Sequence, residues 1–264
     1  MCPPRWLGLL ACGLALAPAG CFWLKKHDGP AQVLRFSPAV GPSEGSPQVA
    51  FDTRLLEQPV GDEYLNRTLW TEVSDPLPHQ LSALLAANGV RVGVLSGTPS
   101  AEFHRLATGE GTAVSATVRR GLAGVPKAVP VNGPLDRCAA EVVPALTAEA
   151  RKLDWSAAEC GVVVAGTPHP SGKVTVRCQF HLQHGGKGAW WTPTAAGGFD
   201  RTEGKSREEF PTLTFEVDLD PADTLVVGPT RSPAGTLGAA YFHTAAGSKQ
   251  RVLVVRATGE SAAR

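Results

Sequence analysis

Three cysteines, three histidines and a pair of tryptophans are the residues of this sequence whose types and spacing invite chemistry. Cys160 and Cys178 flank a segment in which Gly161-Val162-Val163-Val164-Ala165 faces Lys173-Val174-Thr175-Val176-Arg177 across a turn at residues 167–172. Standing at nearly equal distances from that turn, the two thiols are a disulfide candidate if their Cα atoms come within about 5.5 Å. The alternative is a pair of buried free thiols, because cysteine is among the most often buried residue types. Of the six cysteines, Cys2, Cys12 and Cys21 lie in the first twenty-one residues, which leaves Cys138 over, and no CxxC pair occurs, so neither a dithiol redox motif nor a thiolate zinc site is expected. His169, His181 and His184 are the one histidine group that could ligate a metal. Side chains three apart on a strand point to opposite faces and no HExxH motif is present, so no metal is expected. Trp190 and Trp191 follow Gly185-Gly186-Lys187-Gly188 in a polar, glycine-rich stretch, residues 183–210. Exposed, such rings form a binding surface for a glycan or a protein partner; the alternative is that they fold back onto a sheet.

Motifs that would mark an enzyme are incomplete. Gly41-Pro42-Ser43-Glu44-Gly45 spells GxSxG, but a nucleophile elbow needs a strand before it and a helix after it, and here a proline-rich segment surrounds it. The run from Gly198 to Ser206 approaches a P-loop, yet five residues separate its glycines where four are required. Glu208, Glu209, Asp218, Asp220 and Asp223 read as solvent-side charges on strand edges or turns, without an apolar pocket to separate their acidities. The expectation is a non-enzyme that needs no cofactor, the alternative being a hydrolase with an unrecognised site. Of 25 basic and 24 acidic side chains in 264 residues, only Arg5 lies in the first twenty, so the remainder is neutral. A neutral body offers no electrostatic footprint for nucleic acid.

The amino terminus says where the chain works. Arg5 precedes an apolar run over residues 6–18, which closes in Ala19-Gly20-Cys21; this is the charged start, apolar segment and small-residue site of a secretory signal. The stretch resembles the lipobox of bacterial lipoproteins. That resemblance implies that residues 1–20 are a removed signal peptide and that Cys21 carries acyl chains of the palmitate type. It also implies a lipid anchor in a membrane of the bacterial cell envelope, with the body in the periplasm or at the cell surface. The alternative is an uncleaved anchor over residues 6–24, closed by Lys25-Lys26. Residues 21–48 hold Pro30, Pro38, Pro42 and Pro47 among Gly and Ser and read as a tether.

These residues must be positioned by a fold, and the pattern is α+β: a small helix-covered sheet module, residues 49–130, followed by a larger antiparallel β module, residues 131–264. In the first module, strands are expected over residues 49–56, 90–95 and 113–119, with a helix over 62–73. Asp75-Pro76 and Thr98-Pro99 place a capping residue before a proline at the first helical position, so helices are expected to open there. In the second, strands are expected over residues 141–146, 160–166, 173–182, 213–219, 224–228, 239–244 and 250–257. The alternation Val174-Thr175-Val176-Arg177-Cys178-Gln179-Phe180 and Leu213-Thr214-Phe215-Glu216-Val217-Asp218-Leu219 marks sheet with one wet face. The hairpin over residues 162–180, and the pair 211–219 and 224–227 ending in Gly228-Pro229, are similar to the C-terminal β-domain of secretins. That resemblance implies an accessory of a secretin-like envelope system. No lipid-facing strands of about ten residues follow the anchor, so no pore is expected.

Overall fold

The computed structural model describes residues 48–108, 113–193, 198–231 and 234–260. Cys21, the signal, the GxSxG stretch and nearly all of the tether lie outside them. Two five-stranded antiparallel sheets make up the described chain. Sheet A is ordered β2 (Val90–Leu95), β9 (Thr224–Pro229), β10 (Lys249–Glu260), β1 (Gln48–Pro59), β3 (Ala113–Leu122). Sheet B is ordered β4 (Lys127–Val142), β5 (Arg151–Pro168), β6 (Val174–Pro193), β7 (Phe199–Glu209), and β8 (Phe215–Leu219) pairs with the start of β6.

Why the two sheets differ is visible in their residues. In β10, Leu253 and Val255 join one apolar cluster while Val252 and Val254 join another, and β9 divides Leu225 and Val227 from Val226 in the same way. Their nearly continuous apolar runs are what a sheet covered on both faces requires. One cluster fills the space between sheets A and B and takes Val162, Val164, Val176 and Phe180 from the latter. The other lies under two helices, with Leu65, Leu69, Phe103 and Leu106 buried against Leu56, Val226 and Val252. Sheet B instead alternates. In β8, Phe215, Val217 and Leu219 are buried while Glu216 and Asp218 are exposed, which turns the outer face of that strand to solvent. The described chain is therefore a layered α+β structure: helices over residues 64–72 and 101–108 cover the outer face of sheet A, while those over 79–87 and 237–242 pack into the cluster that sheet A shares with sheet B.

The modular division is corrected by the register. Residues 49–130 supply β1, β2 and β3, but sheet A is completed by β9 and β10 from the other end of the chain: Gln48 lies opposite Glu260 and Leu55 opposite Leu253. Strands from both expected modules thus share one sheet and one core.

Helix boundaries also differ from expectation, each for a local reason. A π-helical turn over Tyr64–Thr68 runs into α1 (Leu69–Glu72). The next helix, α2 (His79–Ala87), begins after Pro78 and not at Asp75-Pro76. A residue before proline is pushed out of the helical region, so Leu77 cannot carry the helix through Pro78. Asp75 closes a turn instead, its Oδ1 accepting from Leu77 N at 3.0 Å and Ser82 Oγ at 3.0 Å. α3 (Ala101–Thr108) is opened by Ser100, whose Oγ accepts from Phe103 N at 3.3 Å. Residues 239–244, expected as strand, lie mostly in α4 (Leu237–Phe242), where Leu237, Gly238, Tyr241 and Phe242 are buried at helical spacing. Gly238 is needed there: a Cβ would run into the Gly89 carbonyl, and Gly238 N donates to Asn88 O at 2.8 Å.

Two buried asparagines lock the layers. Asn88 donates from Nδ2 to Leu84 O and Val143 O, and its Oδ1 accepts from Val143 N. Asn132 donates to the carbonyls of Ala240 and His243 and accepts from Arg251 Nη1 at 3.0 Å. Arg251 in turn holds Glu57, which also accepts from Lys249. Burial pushes the Glu57 carboxyl up, but these two hydrogen bonds outweigh it and hold the group below its ordinary range.

Candidate functional site

Within the polar stretch 183–210, expected as an insert, residues 183–193 and 199–209 are strand. β5 leaves β6 at the pair Glu159 and Gln183. Beyond it β6 and β7 continue as a two-stranded arm, from Gly188 opposite Gly204 to Pro193 opposite Phe199. Two left-handed residues mark the divergence, Ala157 at φ 49° in β5 and Gly185 at φ 76° in β6, and the β6–β7 register shifts between His184 and Gly188. Such a bulge bends a ribbon and strengthens its twist.

The root of the arm is tied to the sandwich. Trp155 Nε1 donates to Glu208 Oε2 at 2.6 Å, and the Trp155 ring meets Phe210 edge-on at 6.4 Å. Lys205 Nζ donates to Glu159 Oε1 at 2.7 Å and to Ala157 O at 3.1 Å. Gln179 Nε2 donates to Glu209 Oε2 at 3.0 Å, and Arg207 pairs with the same carboxylate at 3.0 Å.

Past these ties the arm exposes aromatic rings. Trp191 lies opposite Arg201, and directly opposed residues of an antiparallel pair share a face. Phe199, two residues from Arg201, falls on that face as well. Trp191 is 66% and Phe199 67% exposed. Arg201 and Glu203 form an ion pair at 2.7 Å along the same edge. A shallow groove of about 500 Å³ lined by Lys187, Ala189, Arg201 and Glu203 runs beside them. Of the expected surface pair, Trp191 is therefore exposed, while Trp190 is the residue before it, paired through its backbone with Thr202. Phe199 escaped the sequence reading because Gly198-Phe199 opened the P-loop-like run; that run is strand β7, with no loop to cradle a phosphate.

The other candidate residues are scattered. Cys160 lies opposite Leu182 and Cys178 opposite Val164, four register steps apart, and both are free thiols. The expected disulfide between them is corrected by the turn. It is closed by His169 N to Lys173 O and by Gly172 at φ 85°, two residues later than the symmetric placement assumed. Burial alone pushes the Cys178 thiol up to about 12.

His169 sits in that turn, where Nδ1 contacts Ser171 Oγ at 2.8 Å and also accepts from Ser171 N at 3.3 Å. A ring nitrogen engaged by backbone closes a turn and is not poised as a base toward the hydroxyl. His181 is buried on the outer face of sheet B, 4% exposed, with Nδ1 lacking a partner among the described residues. Burial, reinforced by Arg207, lowers its pKa to about 4. The carboxylates are engaged in structure. Asp218 accepts from Thr175 Oγ1 at 2.6 Å, Asp220 from Lys173 Nζ at 3.1 Å, and Asp223, expected at the solvent side, is buried and caps Asp220 N at 3.0 Å. Among the described residues no group of three or more His, Cys, Asp or Glu could hold a metal, and no helix is long and apolar enough to cross a membrane.

Comparison with known proteins adds little to this geometry. No family model matches the sequence, and no curated protein does. Among solved structures the chain is similar to the InvG secretin domain β-barrel from the Salmonella SPI-1 injectisome NC-base, with 8% identity and a TM-score of 0.20. The match covers 83% of this chain and 64% of that one. So low a TM-score carries no weight.

Proposed function

We propose that this chain is a non-catalytic binding or assembly protein of the bacterial cell envelope, lipid-anchored at Cys21, whose β6–β7 arm docks on a partner protein. The observation that carries the reading is that Trp191 and Phe199 stand exposed on one face of a two-stranded arm that outruns the sandwich. Large aromatic side chains bury 150 to 250 Å² each in an interface. Completing the burial of two that are two-thirds exposed is worth roughly 5 to 8 kcal/mol before association costs, at about 25 cal/mol per Å². The flanking Arg201 and Glu203 form the polar rim that such an aromatic centre needs. An accessory role in a secretin-like assembly is the partner class suggested by the strand pattern of the C-terminal half.

The test is cross-linking in intact cells with the wild type and a W191A/F199A double variant. Both side chains are solvent-facing, so the variant should fold and melt as the wild type does while losing its cross-linked partner. An unchanged cross-linking pattern would refute the arm as the docking surface. A variant that keeps its protein partners but loses retention on envelope polysaccharide would favour the second reading, a glycan stacked on the Trp191 ring. The anchor is tested separately: Cys21→Ser should release a folded protein from the membrane fraction, whereas an uncleaved anchor would retain it.

A further inference from the structure

The helix-covered face of sheet A changes character along its strands. Alternate residues of a strand share a face, so Leu56, Arg54 and Asp52 of β1 stand on the same side as their cross-strand partners Val252, Val254 and Arg256 of β10. Leu56 and Val252 are sealed in the cluster under the helices. α3 reaches as far as Arg54, whose Nη1 donates to Ala107 O in the last turn of that helix. There a pocket of about 180 Å³ opens, with Val254, Arg256 and Thr224 on the sheet side and Phe103, His104 and Ala107 on the helix side.

Two guanidinium groups and one carboxylate line this pocket, and the two cations are not equivalent. Arg54 is fully engaged. Its Nε donates to Asp52 Oδ1 at 3.2 Å, its Nη2 to Asp52 Oδ2 at 2.8 Å, and its Nη1 holds the α3 carbonyl. Arg256 stands directly opposite Asp52 in the register, yet that carboxylate is hydrogen-bonded to Arg54. Arg256 is exposed and has no hydrogen bond or ion pair with any described residue. The pocket therefore carries one uncompensated positive charge beside the buried side chains of Val254, Phe103 and Ala107.

The geometry points to a binding site for a small organic carboxylate, its charged end on Arg256 and a compact apolar body against Val254, Phe103 and Ala107. A guanidinium presents two parallel N–H donors to a carboxylate, which fixes orientation as well as charge. Apolar walls with a few placed polar groups are the composition of small-molecule sites. Drug-sized ligands fill about 300 to 1,000 Å³, so this smaller volume suits a body of a single ring. Inorganic phosphate would gain the contact to Arg256 but leave the apolar wall uncovered, which makes carboxylate the ligand class. The pocket lies on sheet A and the arm extends from sheet B, so this site is independent of the docking reading.

The probe is para-fluorobenzoate, followed by fluorine NMR line broadening with the full-length protein in mild detergent and empty micelles as the blank. Benzoate should displace it. The neutral para-fluorobenzamide should stay sharp, and inorganic phosphate should not displace the probe. Arg256→Gln should weaken binding by about tenfold or more, the size of a hydrogen bond to a charged group. Because Arg256 has no described partner, that variant should melt as the wild type does. In methyl spectra of the wild type, shift changes on adding benzoate should fall on Ala107, Thr224 and Val254. The W191A/F199A variant should bind the probe as the wild type does, which separates this site from the arm. Equal broadening of the amide, undiminished binding by Arg256→Gln, displacement by phosphate, shifts confined to other methyls, or loss of binding in W191A/F199A would each overturn the inference.

Discussion

His181 should make the protein sensitive to mild acid. Its ring lies over Gly161, where a Cβ would come within 2.6 Å of Cε1 and 2.9 Å of Nε2, so β5 has no side chain at that point and the imidazole fills the space. Arg207 and Glu209 on β7 are the charged neighbours of this position. With a folded pKa of about 4 and an unfolded value of about 6.5, the unfolded state binds the extra proton between those limits. Stability is therefore complete above about pH 6.5 and falls as the pH drops. The loss attributable to this residue is about 2 kcal/mol at pH 5 and approaches 3 kcal/mol at pH 4. His243, also lowered by burial, contributes with the same sign, so a comparison is needed. Urea unfolding at pH 8 and pH 5 should show the wild type losing about 2 kcal/mol more than His181→Gln. Equal losses in the two proteins, or an imidazole that titrates at 6.5 or above by NMR, would refute the reasoning.

Two backbone sites give predictions of opposite sign. Gly238→Ala would drive a Cβ into the Gly89 carbonyl, which is itself held by Thr230 N at 2.9 Å, and should cost more than about 3 kcal/mol in a thermal or urea melt; a loss below 1 kcal/mol would show that the α2–α4 crossing can give way. Ala157→Gly removes a Cβ from a left-handed residue at φ 49° and should raise stability by up to about 1 kcal/mol, an outcome that a lower melting temperature would contradict.

What the residues declared in advance was local. β8 announced itself because Phe215, Val217 and Leu219 alternate with Glu216 and Asp218, and β2 because a short apolar run follows the Asn88-Gly89 helix end. β7 did not, since an arm wet on both faces has no apolar alternation to display. α4 was mistaken for strand because Ala239-Ala240-Tyr241-Phe242 is a short apolar run that suits either structure. Its helical period emerges only with Leu237 and Gly238 included. The thiol pairing depended on where the hairpin turns, and a shift of two residues at Gly172 separated Cys178 from Cys160. The Trp191 and Phe199 face could be read only once Arg201 was placed opposite Trp191.

Sheet A has its final strand in its middle: β10 lies between β9 and β1, and β1 has only β3 beside it until β10 is present. A nascent chain halted before residue 249 therefore holds two unjoined halves of a sheet, each with an open edge. Closure of the sheet must wait for β10, and pairing between residues so distant in the chain is slow to form. During synthesis this order of events delays closure of sheet A until β10 has been delivered.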